Sequence, residues 1–143
     1  MWMAAQDGHF TVVMELIAAG ALVDKARTDD GTTPLYIAAE LGHPAVVTKL
    51  IAAGADVNKA TTDDNTTPLY IAAEMGHLTV VTKLIAEGAD VDKARTSDGR
   101  TPLYTAAISG HPKVVTKLIA AGADVNKATT TDGDTPLCIA ATM

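Results

Sequence analysis

The sequence contains one cysteine, few aromatic residues and no excess of positive charge. Because Cys138 has no partner for a disulfide within the chain, folding does not depend on oxidation, which favours a reducing compartment. Aromatic residues make up only 3% of the chain, which suits thin stacked layers better than a bulky core. The net charge of −6 lacks the basic footprint of proteins that bind phosphate backbones. We therefore expect an intracellular protein, in the cytoplasm or alternatively in the nucleus, that binds no nucleic acid.

Long apolar segments and catalytic motifs are also missing. No apolar run approaches the ~20 residues that cross a bilayer, and residues 1–5 lack the basic region and longer apolar stretch of a signal peptide. The sequence has no glycine-rich phosphate loop after a strand, and no His-Glu-x-x-His or Gly-x-Ser-x-Gly motif. We expect no membrane contact, no cofactor and no enzymatic activity.

The dominant feature of the sequence is a repeat of 34 residues. Thr-Pro-Leu begins at residues 33, 67, 101 and 135, Gly-His at 8, 42, 76 and 110, and Gly-Ala-Asp-Val at 54, 88 and 122. A fixed period of this length indicates stacked supersecondary units that complete each other's core. We expect a single domain over residues 1–143, with repeats at about 1–32, 33–66, 67–100 and 101–134 and a partial repeat at 135–143.

Each repeat predicts two short helices followed by a turn. In the second repeat, Thr33 can cap the first helix, and Pro34 can occupy its first position, where a missing amide hydrogen costs nothing. Gly42 ends the first helix and Gly54 the second, because glycine readily adopts the positive φ of a helix C-terminus. The dipeptide Asp-Asn at residues 64–65, replaced by Asp-Gly in the other repeats, predicts a tight turn at the tip of a hairpin-like finger.

This pattern resembles the ankyrin repeat over essentially the whole chain. The resemblance rests on Thr-Pro-Leu-x-x-Ala-Ala-x-x-Gly-His-x-x-Val-Val followed by Leu-Ile-x-x-Gly-Ala-Asp-Val-Asn, recurring in register. It implies an all-α solenoid of stacked helix-turn-helix repeats with hairpin-like fingers, and a concave surface that binds other proteins. The chain departs from the family where a histidine usually follows Thr-Pro-Leu, since that position holds Tyr36, Tyr70, Tyr104 and Cys138. We expect Cys138 to be a small packing residue there.

Four histidines recur once per repeat, at residues 9, 43, 77 and 111. One interpretation is a metal-binding or acid–base ladder, and the other is a set of imidazoles that bond backbone groups of the turn between the helices. Neighbouring repeats lie roughly 10 Å apart, whereas the ligands of one zinc ion each lie about 2 Å from it. Histidines of different repeats therefore cannot share an ion, and the spacing favours the structural role.

A second rhythm alternates between the fingers. Arg27 and Arg95 occur in the first and third repeats, where Asp24 and Asp92 stand three residues earlier, whereas the second and fourth repeats have threonine and asparagine at these positions. We hypothesise ion pairs between Asp24 and Arg27 and between Asp92 and Arg95. Duplication of a two-repeat block is the alternative explanation and needs no pairing.

Positions that change from repeat to repeat are free to carry specificity, whereas constant positions hold the stack together. In ankyrin repeats, the matching finger and first-helix positions line the concave binding surface. The varying finger positions here are Asp29, Thr32, Asp63, Thr66, Ser97, Arg100, Thr131 and Asp134, and those of the first helices are Glu40, Leu41, Glu74, Met75, Ile108 and Ser109. Of these, Leu41, Met75 and Ile108 are candidate apolar anchors for a partner; the alternative is that they shield the neighbouring repeat.

The two ends of the array differ from its middle. Phe10 and Met14 replace proline, leucine or threonine of the other repeats, and Trp2 replaces tyrosine. Terminal repeats normally present a polar outer face, so a fifth repeat that stops at Met143 predicts a piece of a longer array or end-to-end self-association. We expect a non-enzymatic scaffold that binds a protein partner. The alternatives are an architectural or self-assembling module, and a regulatory or targeting fragment of a larger protein.

Overall fold

The computed structural model describes residues 1–141. In that range the chain forms nine α-helices and no strand. The helices are α1 (Trp2–Gln6), α2 (Phe10–Ala18), α3 (Pro34–Glu40), α4 (Pro44–Ala52), α5 (Pro68–Glu74), α6 (Leu78–Ala86), α7 (Pro102–Ile108), α8 (Pro112–Ala120) and α9 (Pro136–Ala141). Each repeat holds one pair, and α9 is the first helix of the fifth repeat. The predicted all-α class is therefore confirmed.

The first helix of each interior repeat begins as the sequence predicts. The hydroxyl oxygen of Thr33 accepts a hydrogen bond from the backbone N–H of Tyr36 at 3.1 Å, and Pro34 occupies the first helical position. Thr67 and Thr101 cap α5 and α7 in the same way. An N-cap of this kind satisfies one of the amide donors that a helix leaves open and contributes about 1 kcal/mol. Gly42 follows the end of α3 with a φ of 71°, as expected of a residue that terminates a helix.

The helices stack in two rows. The first helices α1, α3, α5, α7 and α9 pack on one another in sequence, and the second helices α2, α4, α6 and α8 form the parallel row. Between the rows, Leu50, Leu84 and Leu118 are fully buried at equivalent positions. Alanines such as Ala38 and Ala72 are also fully buried, and their small side chains let neighbouring first helices approach closely. The core is therefore a continuous seam along the array.

The histidines join successive repeats. The Nε2 atom of His43 lies 2.9 Å from the carbonyl oxygen of Gln6, and the same contact links His77 to Glu40 and His111 to Glu74. Each ring thus satisfies a carbonyl at the end of the preceding first helix, where no intrahelical donor is available. The structure supports the structural interpretation for His43, His77 and His111, because each imidazole bonds the backbone, whereas His9 in the first repeat is exposed.

The fingers are closed turns that bond to one another. The backbone N–H of Arg27 donates to the carbonyl oxygen of Thr32 at 2.9 Å, and this bond recurs in the next three repeats. Neighbouring fingers are tied by a backbone bond from the N–H of Thr62 to the carbonyl oxygen of Asp30, also 2.9 Å, with equivalents in the two following pairs. At the tip of the second finger, Asn65 has a φ of 56°, which confirms the turn predicted there.

The hypothesis of Asp24–Arg27 and Asp92–Arg95 ion pairs is wrong. Arg27 pairs instead with Asp29, its Nε donating to the carboxylate at 3.0 Å. The Asp24 carboxylate lies across the gap to the next repeat, where it accepts the backbone N–H of Asp56 at 3.1 Å. Asn58 and Asp92 accept the equivalent N–H groups of the next two repeats. Aspartate and asparagine both supply a suitable oxygen, so this position needs no arginine partner.

The alternation of arginine and threonine has a different cause, which lies inside each finger. In every finger, the backbone N–H of the residue that closes the turn needs a hydrogen-bond acceptor. In the first and third fingers that acceptor is an aspartate, as when Asp98 accepts the N–H of Arg100 at 3.1 Å. In the second and fourth it is a threonine hydroxyl, as when Thr61 accepts the N–H of Thr66 at 3.1 Å. An aspartate carboxylate and a threonine hydroxyl therefore alternate along the array as the acceptor of this N–H.

Candidate protein-binding surface

The candidate residues divide into exposed, half-buried and buried groups. We use the name finger–helix surface for the first two groups together. The exposed members are Asp29, Leu41, Asp63, Met75, Ser97, Ser109 and Thr131. The half-buried members are Glu40, Glu74, Arg100, Ile108 and Asp134. The remaining two candidates, Thr32 and Thr66, are buried, each 9% exposed.

Thr32 and Thr66 serve the fingers rather than an open surface. The Thr32 hydroxyl donates to Asp30 at 2.8 Å and accepts from the indole N–H of Trp2 at 3.2 Å. The Thr66 hydroxyl lies 2.9 Å from that of Thr61. Both hydroxyls are bonded within the array, so neither residue belongs to the finger–helix surface.

An acidic strip connects the fingers to the first helices. Burial raises the pKa of Glu40, and the charges of Glu74 in the next repeat and of Asp30 add to this rise. Burial also raises the pKa of Tyr36 to about 12, with further contributions from Glu40, Glu74 and Asp63. Charges shift a neighbouring pKa only when they lie close to it. The carboxylates of Asp30 in the first repeat, Glu40 and Asp63 in the second and Glu74 in the third therefore lie near one another.

Leu41 and Met75 add an apolar component at the other end of the first helices. Each follows the last residue of its helix, and each is 45% exposed. A helix of seven residues is about 10 Å long, so these side chains lie roughly that far from the start of the helix, where the finger joins it. The equivalent positions in the first and fourth repeats hold Asp7 and Ser109. The apolar side chains are thus confined to the two middle repeats, with Ile108 half-buried in the next repeat.

Arg100 is not a freely solvated cation. Its Nε lies 3.0 Å from a carboxylate oxygen of Asp98, and its guanidinium carbon lies 5.3 Å from the centre of the Tyr104 ring. An ion pair and a cation–π contact together restrain the side chain. Arg100 therefore presents a positioned positive charge among acidic fingers.

Sequence reasoning missed the partners of the other two arginines. Arg27 stacks over Trp2 at 4.8 Å, and Arg95 stacks over Tyr70 at 5.6 Å while bonding Asp98. In the sequence, each of these arginines lies 25 residues after the aromatic residue of the same repeat, a spacing that alone does not indicate contact. The aromatic residues that stand where the family usually has histidine therefore support the fingers. Cys138 holds the same repeat position, but it is exposed. The expectation that Cys138 is a packing residue is wrong, because residues 1–141 place no second helix against α9.

A second surface lies at the carboxyl end of the array, where the sequence predicts an incomplete repeat. It is an apolar groove of about 530 Å³ between α7, α8 and α9, lined by residues that include Leu103, Val115, Ile119, Val125 and Leu137. At the opposite end, Phe10 and Met14 are 40% and 39% exposed, which leaves apolar side chains on the surface of the first repeat. Met143, on which the sequence-based expectation about the end of the array rested, lies outside the described residues.

Neither metal ligation nor a membrane span is found in the described chain. Residues 1–141 contain no cluster of three histidine, cysteine, aspartate or glutamate side chains that could hold a metal ion. No helix within the same residues is long and apolar enough to cross a bilayer.

The comparison with known proteins agrees with the stacked helix pairs. The family model described as ankyrin repeats (three copies) matches residues 1–61, 59–129 and 92–143, which together span the whole chain. A search of curated proteins found no match. Because the family match covers far more than half of the sequence, and the helix pairs follow its order, the chain belongs to the ankyrin-repeat family, whose members are in general protein–protein interaction modules.

Proposed function

We propose that this chain is a non-enzymatic scaffold that binds one protein partner through the finger–helix surface. The observation that carries the proposal is the exposure of Leu41 and Met75, 45% each, beside the half-buried carboxylates of Glu40 and Glu74. Apolar anchors flanked by charges are typical of protein interfaces, where burial of the anchor supplies affinity and the charges set register. Successive repeats present these groups at a spacing of roughly 10 Å.

The charges of the surface define the partner's chemistry. Asp63, Glu40 and Glu74 are acidic, whereas Asp29 is paired with Arg27 and Arg100 with Asp98. A partner that presents apolar side chains flanked by lysine or arginine complements this arrangement. Because the fingers are bonded to one another, the surface is ordered before binding, and association costs little conformational entropy.

The experiment compares two double variants of equal charge. Leu41→Asp with Met75→Asp alters the finger–helix surface, whereas Thr48→Asp with Thr82→Asp places the same charges on exposed positions of the second helices. Immobilised parent and variant chains are incubated with cell extract, and retained proteins are identified by mass spectrometry. Binding of each candidate is then measured with purified components.

We expect a partner that the parent and the Thr48/Thr82 variant retain and the Leu41/Met75 variant loses, with affinity reduced by at least about tenfold, since the anchors become charged. A partner that binds both variants equally well would overturn the proposed surface. Ile108→Asp is tested separately, because Ile108 is half-buried and its variant needs its own check of folding by circular dichroism.

A self-assembling module is the second candidate function, and a separate observation favours it. Apolar side chains are exposed at both ends of the array, among them Met3 at 72% and Leu137 at 76%. Association through these ends leaves the finger–helix surface open. Light scattering across a range of protein concentrations tests it, because self-assembly raises the average mass as concentration increases.

A further inference from the structure

The groove at the carboxyl end has counterparts inside the molecule, and these show what fits it. Along the row of second helices, α4 packs on α2, α6 on α4 and α8 on α6. In each case the covering helix carries Val-Val and Leu-Ile at the same spacing. No following second helix covers α8 within residues 1–141. The groove lies where the interior repeats place that helix.

At the carboxyl end, several apolar side chains are more exposed than their counterparts in the interior repeats, which a following repeat covers. Ile119 is 48% exposed, whereas Ile51 and Ile85, its counterparts on α4 and α6, are half-buried. Val125, which follows α8 and also lines the groove, is 43% exposed, whereas its counterparts Val57 and Val91 are half-buried. The carboxyl end therefore presents one half of the interface that joins repeats throughout the array.

The amino end presents the other half. Val12 on α2 is 44% exposed, whereas its counterpart Val46 is 1% exposed. Met3 on α1 is 72% exposed, whereas Ile37 at the same repeat position is 7% exposed. In the interior these positions face the preceding repeat. The α2 sequence, with Val-Val and Leu-Ile in register, matches the helices that fill the equivalent groove elsewhere.

We propose that a second copy of this chain docks head to tail: its α1 displaces α9 from α7, and its α2 packs on the walls of the groove that α7 and α8 supply. The proposal rests on the self-assembling function above and not on partner binding by the finger–helix surface. The contact continues the interface already present between repeats of one chain. Its two sides are different surfaces, so each docked copy leaves a new groove and the assembly remains open-ended.

Replacement of α9 follows from the repeat register. Trp2 and Cys138 hold the same repeat position, so α1 and α9 cannot both lie on α7. Among its residues up to Ala141, α9 has Pro136 as its buried residue, since no second helix packs against it. The α1–α2 pair is a complete unit in which Ala4 and Ala5 are already buried. Docking of this pair covers both α7 and α8, whereas α9 covers α7 alone.

The test uses two variants that each block one end. Val12→Asp places a charge on the amino face, and Ile119→Asp places one in the groove. Both sites are about half exposed, so the monomer tolerates the change, and circular dichroism verifies the helix content. Thr82→Asp, at an exposed position of an interior repeat, is the control for added charge. Each 143-residue chain is studied by sedimentation velocity from micromolar to millimolar concentration, alone and in an equimolar mixture of the two end variants.

The parent and Thr82→Asp are expected to form species that grow with concentration. Each end variant alone associates at least about tenfold more weakly, because a carboxylate buried in an apolar contact is costly. The mixture forms a complex of two chains and nothing larger, since the intact amino end of the Ile119→Asp chain docks in the intact groove of the Val12→Asp chain.

Two results would overturn the proposal, and they have different consequences for the self-assembling function. A parent chain that remains monomeric at millimolar concentration removes both head-to-tail docking and the self-assembling function. If the parent associates but Val12→Asp associates equally well, and mixing adds no two-chain complex, self-assembly stands and the head-to-tail contact is wrong. Partner capture by the finger–helix surface is unaffected by either result.

Discussion

The Nε2 atom of His77 lies 2.9 Å from the carbonyl oxygen of Glu40, in the preceding repeat. The imidazole also packs so closely on Gly42 that a Cβ added there would lie 2.7 Å from the ring. One side chain thus satisfies the end of a helix in the neighbouring repeat and covers the glycine that terminates it. The same arrangement recurs at His43 and His111, so the histidines carry part of the coupling between repeats.

Replacing His77 by alanine should therefore destabilise the array, whereas the same change at His9 should not. His77→Ala leaves the Glu40 carbonyl without its partner, and we expect a loss of about 1–2 kcal/mol in the free energy of unfolding. His9 is exposed at the first repeat, and His9→Ala should change stability by less than about 0.5 kcal/mol. Urea denaturation of both variants measures the difference; equal effects would contradict the role of the bond between repeats.

Gly42 should tolerate alanine less well than Gly54. Both residues have positive φ, 71° and 91°, so alanine is strained at either site by about 1–2 kcal/mol. At Gly42 the added methyl also meets the His77 ring, whereas no atom lies within 4 Å of it at Gly54. Thermal unfolding should show a lower midpoint for Gly42→Ala. Combining Gly42→Ala with His77→Ala should give less than the sum of the two losses, because the steric conflict disappears with the ring.

The ion pair between Arg95 and Asp98 should make stability depend on acidic pH. The hydrogen bond from Arg95 lowers the pKa of Asp98, with further help from the backbone N–H of Arg100. Because the folded-state pKa lies below the unfolded value, the stabilisation is complete at neutral pH and is lost as the pH falls below about 4 and passes through the folded pKa. Asp98→Asn should cost about 1–2 kcal/mol at pH 7, and the cost should shrink in acid.

Asp132 provides the control for that prediction, since it occupies the same repeat position in the fourth finger and is exposed. The adjacent Thr131 hydroxyl donates a hydrogen bond to its carboxylate. Asp132→Asn should change stability by less than about 0.5 kcal/mol. A difference between the two variants that stays constant from neutral to acidic pH would contradict the electrostatic explanation.

Replacing Thr105 by valine should stabilise the folded protein. The hydroxyls of Thr105 and Tyr70 are buried and near enough to each other that Thr105 counteracts the rise that burial causes in the Tyr70 pKa, but neither has a hydrogen-bond partner of good geometry among residues 1–141. Ile37 and Ile71 hold the position of Thr105 in two other repeats. Thr105→Val removes a buried, unpaired hydroxyl and should raise the free energy of unfolding by about 1 kcal/mol, whereas Thr105→Ser should lower it. A loss of stability in Thr105→Val would mean that the two hydroxyls bond each other in solution.

Much of the local structure was predictable because it depends on residues close in sequence. Thr33 caps a helix whose open donors lie three residues away, and Pro34 occupies a position where its ring and missing donor fit. The turn at Asn65 likewise follows from a dipeptide that tolerates positive φ. These choices recur once per period, and the period alone indicates that the units stack.

The partners of polar side chains were less predictable, as the first-finger arginine shows. Asp24 and Arg27 are three residues apart, yet the Asp24 carboxylate bonds the next repeat and Arg27 bonds Asp29. Sequence spacing cannot distinguish these arrangements, because all the carboxylates lie within reach of a flexible arginine. The Asp24 carboxylate bonds the next repeat because that repeat presents a backbone N–H without another acceptor in residues 1–141, and this N–H is not visible in the local sequence.

The sequence by itself determined the repeat, the helix boundaries, the turn positions and the all-α class, since each follows from local chemistry repeated at a fixed interval. Only the tertiary structure decided that Thr32 and Thr66 are interior, that the arginines stack on Trp2 and Tyr70, and that an apolar groove remains on α8. The physical reason is that burial and hydrogen-bond partners belong to the contact between repeats. A side chain with the same neighbours in sequence is covered in the middle of the stack and open at its end.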